Sequence, residues 1–188
     1  MIRKALTENN QAIYRIKDTL RHPIDVMFDA GYSLETKEAI FNAFCSDPTS
    51  PNYIRSDIFV FFDTYPLYDP TKSGLGEKTT SVAAYMNSFP DSKNSRNAAF
   101  YEFFYKIKNP LTTSQDYVTP TYFLSQLLPF SALRSGNGTH QPIAGLIRGV
   151  LSDVLWCSES PLPARKEELF TDRFNYTENT ATQVYFGS

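Results

Sequence analysis

Five consecutive large apolar residues, Ile58-Phe59-Val60-Phe61-Phe62, stand between Asp57 and Asp63. A strand with one wet face alternates apolar and polar side chains. This run does not alternate, so it reads as a strand covered on both faces, the pattern of a parallel sheet under helices. Two further β-prone runs accompany it. Ile24-Asp25-Val26-Met27-Phe28 stops at the turn signal Asp29-Ala30-Gly31. Ala99 to Ile107 reads as a single strand, with Tyr101, Phe103, Tyr105 and Ile107 on one face and Phe100, Glu102, Phe104 and Lys106 on the other.

Helical spacing fills the intervals. Ala12, Ile13, Ile16 and Leu20 predict a helix over 4–20, ended by His22-Pro23. Ser33 is placed as an N-cap, with Glu35 at the positive helix end and Leu34, Ile40, Phe41 and Phe44 as the buried stripe up to Cys45. Val82, Tyr85, Met86 and Phe89 mark a third helix. Thr119-Pro120 opens a fourth, over 119–134, carrying Phe123, Leu124, Leu127 and Leu128; Pro129 is expected to kink or end its first part. Ile143, Leu146, Ile147, Val150, Leu151, Val154 and Leu155 predict a long helix that begins at Pro142. Arg165 to Phe170 reads as a short helix and Thr182 to Phe186 as the start of a strand. Strands alternating with helices give the fold class: α/β, a mainly parallel sheet flanked by helices on both faces. Residues 1–158 are expected to form that domain, and 159–188 a connecting segment leading toward a further domain.

The chain of 188 residues is long enough to bury a core without disulfides or metals. Its 15 Phe and 12 Tyr compensate for an apolar content slightly below that of typical globular chains. No apolar run reaches the roughly 18 residues of a membrane span, so no membrane insertion is expected. The net charge of −2 is well mixed, and the aromatic stretch 99–107 is accompanied only by Lys106 and Lys108, so no nucleic acid is expected as a partner. Two cysteines, Cys45 and Cys157, and two histidines, His22 and His140, give neither a disulfide framework nor a zinc set. Both cysteines read as small buried hydrophobes, and neither histidine has a predictable carboxylate orienter. Gly74-Leu75-Gly76 and Gly136-Asn137-Gly138 lack phosphate-loop and dinucleotide spacing, and no G-x-S-x-G elbow is present. Asn137-Gly138-Thr139 and Asn175-Tyr176-Thr177 match the glycosylation pattern, which carries little weight without a leader sequence.

One constellation lies where open α/β sheets bind ligands: Asp29 and Asp63, at the carboxyl ends of two strands. A carboxylate pair there could hold a divalent cation, or each aspartate could simply accept backbone N–H groups in its own turn. No third ligand follows at short spacing. No catalytic, cofactor-binding or metal residue is therefore assigned, and no cofactor is expected. A metal-dependent α/β hydrolase using these two aspartates is the enzyme alternative.

In order, the motifs resemble the contractile tail sheath proteins of bacteriophages and related injection machines, the myovirus type, in the form of a distant large-phage member. Asp29-Ala30-Gly31 matches the family's turn after a strand. Arg55-Ser56-Asp57 through Asp63-Thr64 matches a strand introduced by Arg-x-Asp and closed by Asp-Thr. Val118-Thr119-Pro120-Thr121 resembles the Val-Pro-x-Ser helix start, with Thr121 where serine is usual. Pro142-Ile143-Ala144-Gly145-Leu146-Ile147-Arg148-Gly149 resembles the Pro-x-Ala-Gly-x-x-Arg-Gly segment, with Ile143 where alanine is common. Glu168-Leu169-Phe170 to Asn175-Tyr176 resembles the lead into the carboxy-terminal sheath domain. The resemblance covers about residues 22–188 and implies a sheath-core-like α/β domain, present here as a central segment of a longer subunit. It further implies a non-enzymatic subunit of the virion tail, assembled in the host cytoplasm. Its partners would be other copies of itself in helically stacked hexameric rings, the tail tube protein, and baseplate and neck proteins. Strand-exchanging arms would join neighbours by β-augmentation. Another tail structural protein, a neck or terminator subunit, is the nearest alternative.

Overall fold

The computed structural model describes residues 3, 6, 15–63, 87, 89, 95–109, 111–135, 143–157, 163–171, 174–180 and 183–187. Thr64, Pro142, both glycine loops and most of the helices expected over 4–20 and 82–89 lie outside the described residues. Along the chain the elements are β1 (Val26–Phe28), α1 (Leu34–Phe44), β2 (Phe59–Asp63), β3 (Ala98–Tyr101), β4 (Tyr105–Lys108), β5 (Gln115–Val118), α2 (Pro120–Ser135), α3 (Gly145–Arg148), β6 (Val150–Leu151), β7 (Val154–Cys157), α4 (Pro163–Thr171), β8 (Phe174–Asn175), β9 (Thr177–Asn179) and β10 (Val184–Phe186).

The apolar runs pair as expected. β1, β2, β3 and β8 make a four-stranded sheet in that order, every pair parallel. Val60, Phe62 and Phe100 point to the face under α1, where all three are buried. Phe41 of α1 lies 6.2 Å from the Phe62 ring and 6.3 Å from that of Phe100, and Phe89 closes the cluster at 5.4 Å from Phe41. A row of stacked or tilted rings, Phe62–Phe100 at 5.1 Å and Phe100–Phe174 at 5.9 Å, crosses from β2 through β3 to β8. Offset aromatic packing of this kind adds about 0.5–1.5 kcal/mol per pair beyond burial. The opposite face carries Phe28, Phe61 and Tyr101, with centroids 5.4 and 6.0 Å apart, and Phe186 of β10 meets Tyr101 edge-on at 5.3 Å.

Three expectations are corrected. Residues 99–107 are two strands, because the chain turns out of the first sheet at Glu102–Phe104, where Phe103 takes a φ of 84°. β4 then pairs antiparallel with β5 and β7 in a separate three-stranded sheet. Residues 143–157 are not a long helix. α3 ends at Gly149, β6 follows, and Asp153 at φ 62° reverses the chain into β7. The apolar residues there satisfy a helical period, yet Val150 and Val154 are β-branched and Ser152-Asp153 is a turn pair, and those local preferences win. The third correction concerns Pro129, which does not end the helix: α2 continues through it to Ser135.

Residues 174–187, read from sequence as part of a connecting segment, supply β8 to the parallel sheet and β9 and β10 to a second antiparallel sheet ordered β6-β10-β9. In this setting Gly187 sits under a ring: a Cβ on it would come within 2.9 Å of Tyr176 Cε2.

Candidate functional site: a buried lysine between two aspartates

Asp29 follows β1 and extends its ladder by one bond, its N–H donating to the Phe61 carbonyl at 2.9 Å. The chain then reverses through Gly31, whose φ of 73° suits a residue without Cβ. That turn is closed by the Tyr32 N–H, which donates to Asp29 Oδ1 at 3.0 Å. The turn role expected for Asp29 is therefore present, but it uses only one of the two carboxylate oxygens.

Lys37 of α1 takes the other. Its Nζ donates to Asp29 Oδ2, to Asp63 Oδ1 at 2.5 Å and to the Asp63 carbonyl at 3.0 Å. The side chains of Lys37, Asp29 and Asp63 are each 0% exposed. Thr121, in the first turn of α2, completes the group. Its hydroxyl lies 2.6 Å from the Asp29 carbonyl and 3.3 Å from Asp63 Oδ2. The shorter contact is where the single hydroxyl proton goes. Thr119 Oγ1 is 2.9 Å from Thr121 Oγ1.

One ammonium thus serves two carboxylates in a dry space. Charged groups are expelled from such places unless paired, and here both carboxylates are paired with the same ammonium. Burial pushes the Asp29 carboxyl up to about 6, and the neighbouring Asp63 charge adds to the shift; Lys37 partly offsets both. Asp29 therefore holds its proton far more readily than an ordinary aspartate.

The ammonium of Lys37 occupies the position between the aspartates where a divalent cation would have to sit. Among the described residues there is no group of three or more His, Cys, Asp or Glu side chains arranged to hold a metal ion. Beside the triad, a depression of about 360 Å³ is lined by Phe28, Ala30, Tyr117, Thr119, Tyr122 and neighbouring residues. Asp29 and Thr121 reach its wall, but their polar atoms are engaged from behind.

Lys37 escaped the sequence reading. The signal was its position: Leu34, Lys37, Ile40, Phe41 and Phe44 share one helical stripe, so a lysine falls where the pattern demands an apolar residue. A charge on a buried stripe requires a partner, and the two strand-end aspartates are the natural ones.

The other motif positions form separate devices. Arg55, 5% exposed, grips Asp57 with Nε–Oδ1 and Nη2–Oδ2 both at 2.5 Å. Its Nη1 donates to the carbonyls of Ile16 at 2.9 Å and His22 at 3.1 Å, tying the helical residues 15–17 to the start of β2. Pro120 is the first residue of α2 and is buried. Ala144 caps α3, Gly145 takes a φ of 78°, and Arg148 lies in the last turn. Gly149 is required by close approach, since a Cβ there would come within 3.0 Å of the Ala144 backbone. Its carbonyl accepts the Phe186 N–H at 2.9 Å, joining α3 to β10. Cys45 is buried and its thiol is pushed up to about 12 by desolvation. Cys157 is half-buried with its Sγ 3.6 Å from Thr177 Oγ1, and neither cysteine is joined in a disulfide. No helix among the described residues is long and apolar enough to cross a membrane.

No protein-family model matches the chain, and no curated protein does. Solved structures do. The chain is similar to one in the cryo-EM structure of the anti-feeding prophage helical sheath in the contracted state, with a TM-score of 0.56 and 13% identity over 96% of this chain and 43% of that one. It is similar to another in the six-fold symmetrised structure of the anti-feeding prophage baseplate, with a TM-score of 0.56 and 14% identity over 96% of this chain and 42% of that one. The fold is therefore contractile tail sheath-like, as the motif order implied. The chain spans less than half the length of either of these neighbours.

Proposed function

We propose that the chain is a structural part of a contractile tail sheath. In this reading it packs with other copies in hexameric rings stacked around a tail tube, meets neck and baseplate components at the ends of the stack, and works in the virion tail after assembly in the host cytoplasm. On contraction the rings widen and rotate as near-rigid bodies and drive the tube through the host envelope. The observation that carries the reading is the likeness of fold over 96% of the chain to a contracted sheath. The strand ends support it. Where an α/β enzyme opens a cleft, this chain buries Lys37 against Asp29 and Asp63, and the interior around them is filled by rings. A close-packed core of that kind transmits force with little deformation. The reading assigns the chain no catalytic step; the drive comes from the difference in free energy between the extended and contracted lattices.

The equal similarity to a baseplate chain favours a second reading, a sheath-like ring protein at one end of a tail. Copy number separates the two. Quantitative mass spectrometry of purified particles should find this protein in large excess over single-ring components. Parity with a single-ring component would favour the second reading, and absence from particles would remove both.

A further inference from the structure

The buried triad holds the parts needed for covalent chemistry within the chain. Nζ of Lys37 touches the carboxyl group of Asp29, and a second carboxylate, Asp63 Oδ1, lies 2.5 Å from the same nitrogen. Water is excluded, since all three side chains are 0% exposed. Amide formation releases water, so a dry site favours it, and holding amine and acid together replaces a bimolecular encounter by a unimolecular one.

We propose that Lys37 and Asp29 condense into an intramolecular isopeptide bond, with Asp63 as the proton carrier. Asp63 accepts a proton from Lys37 Nζ, which frees the nitrogen lone pair, while Asp29 is in its acid form. The nitrogen attacks Asp29 Cγ and negative charge develops on Oδ1, where the Tyr32 N–H already donates at 3.0 Å. Asp63 delivers a proton to Oδ2, where the Asp63 N–H also points at 3.4 Å, and the C–Oδ2 bond breaks as water leaves. The nitrogen passes its second proton to the Asp63 carboxylate, which ends the step in its acid form. One C–N bond forms, one C–O bond breaks, one water is released, nothing is oxidised or reduced, and no cofactor is needed. The raised affinity of Asp29 for its proton supplies the acid form increasingly as pH falls toward about 6. The product stitches the end of β1 to α1 across eight positions of sequence and removes a buried ion pair. Such a bond suits a part that carries load, but the chemistry stands whether or not the chain belongs to a sheath.

Intact mass and a tryptic map of the full chain, purified and then denatured, test this directly. The expected result is a mass lower by one water, about 18 Da, traced to a single peptide 22–55 that trypsin has not cut after Lys37. Lys37→Arg and Asp63→Asn should each restore the full mass, and the Asp63→Asn map should show cleavage after Lys37. Wild-type protein of full mass, cut after Lys37, would overturn the proposal without need of any variant. A light Asp63→Asn chain would overturn the role given to Asp63.

Discussion

Two cation–carboxylate groups tie this fold together, and they differ in one respect. Lys37 with Asp29 and Asp63 is wholly buried. Arg55 is buried as well, but its partner Asp57 is 52% exposed. The same pairing chemistry therefore does different work. In the first group each charge depends on the others, because none can be rescued by water. In the second, Asp57 can be solvated, and the greater part of Arg55's value lies in the two backbone carbonyls it satisfies. Burial, more than the number of ion pairs, decides how much a fold depends on one of them.

The largest expected effect breaks the first group. Lys37→Met takes from two buried carboxylates the ammonium they share and should cost about 3–5 kcal/mol, read by urea denaturation. Adding Asp29→Asn and Asp63→Asn to that variant removes the stranded charges and should recover a large part of the loss. Recovery of nothing would mean that the lysine acts by packing alone. Next in size, Arg55→Ala should cost about 2–3 kcal/mol, since it orphans carbonyls and strips a buried stem. Asp57→Ala should cost less than about 1 kcal/mol. Equal losses from Arg55→Ala and Asp57→Ala would erase the distinction drawn between the two groups.

Acid sharpens the contrast because the two groups respond with opposite signs. Asp29 holds its proton up to about 6 in the folded chain against 3.8 for an ordinary aspartate. The folded state thus binds more protons across that window, and full-mass protein, whose Asp29 is a free acid, should gain stability from this group as pH falls from about 6 toward 4. Asp57 is lowered, chiefly by its hydrogen bond from Arg55, so its small contribution is lost as pH falls below the ordinary aspartate range. Denaturation midpoints of Asp29→Ala and Asp57→Ala against the full-mass parent, followed from about pH 7 down to about pH 2.5, should diverge in opposite directions, Asp29 between about 6 and 4 and Asp57 below about 4. The smallest effect is chemical. Burial holds the Cys45 thiol up at about 12, so in native protein at pH 8 it should label with iodoacetamide far more slowly than in urea. Fast native labelling of Cys45 would show that the core around α1 opens.

Much of the parallel sheet was legible because its strands are hydrophobic to excess. The run at Ile58–Phe62 and the turn at Asp29-Ala30-Gly31 announce buried strands that end in carboxylates, and the stripe of α1 fixes the helix between them. Of the two antiparallel sheets only β10 and the residues of β4 were legible as strands, and β8 of the parallel sheet was not. β6 and β8 are two residues long, and short strands draw their stability from partners distant in sequence, such as Phe174 on Phe100 or Leu151 on Val184. Periodicity misled at 143–157, where apolar residues meet a helical template while Gly149 and Asp153 turn the backbone. Of the candidate site, both aspartates were found from their place at strand ends. The lysine between them was overlooked because the stripe was read by its apolar members.

A cryo-EM map of an intact tail carrying this protein tests the sheath reading most directly. The account predicts that the four-stranded parallel sheet, with α1 over its ring-lined face, fits density in every ring along the tail. The same density confined to a single ring, or found nowhere on the particle, would contradict it.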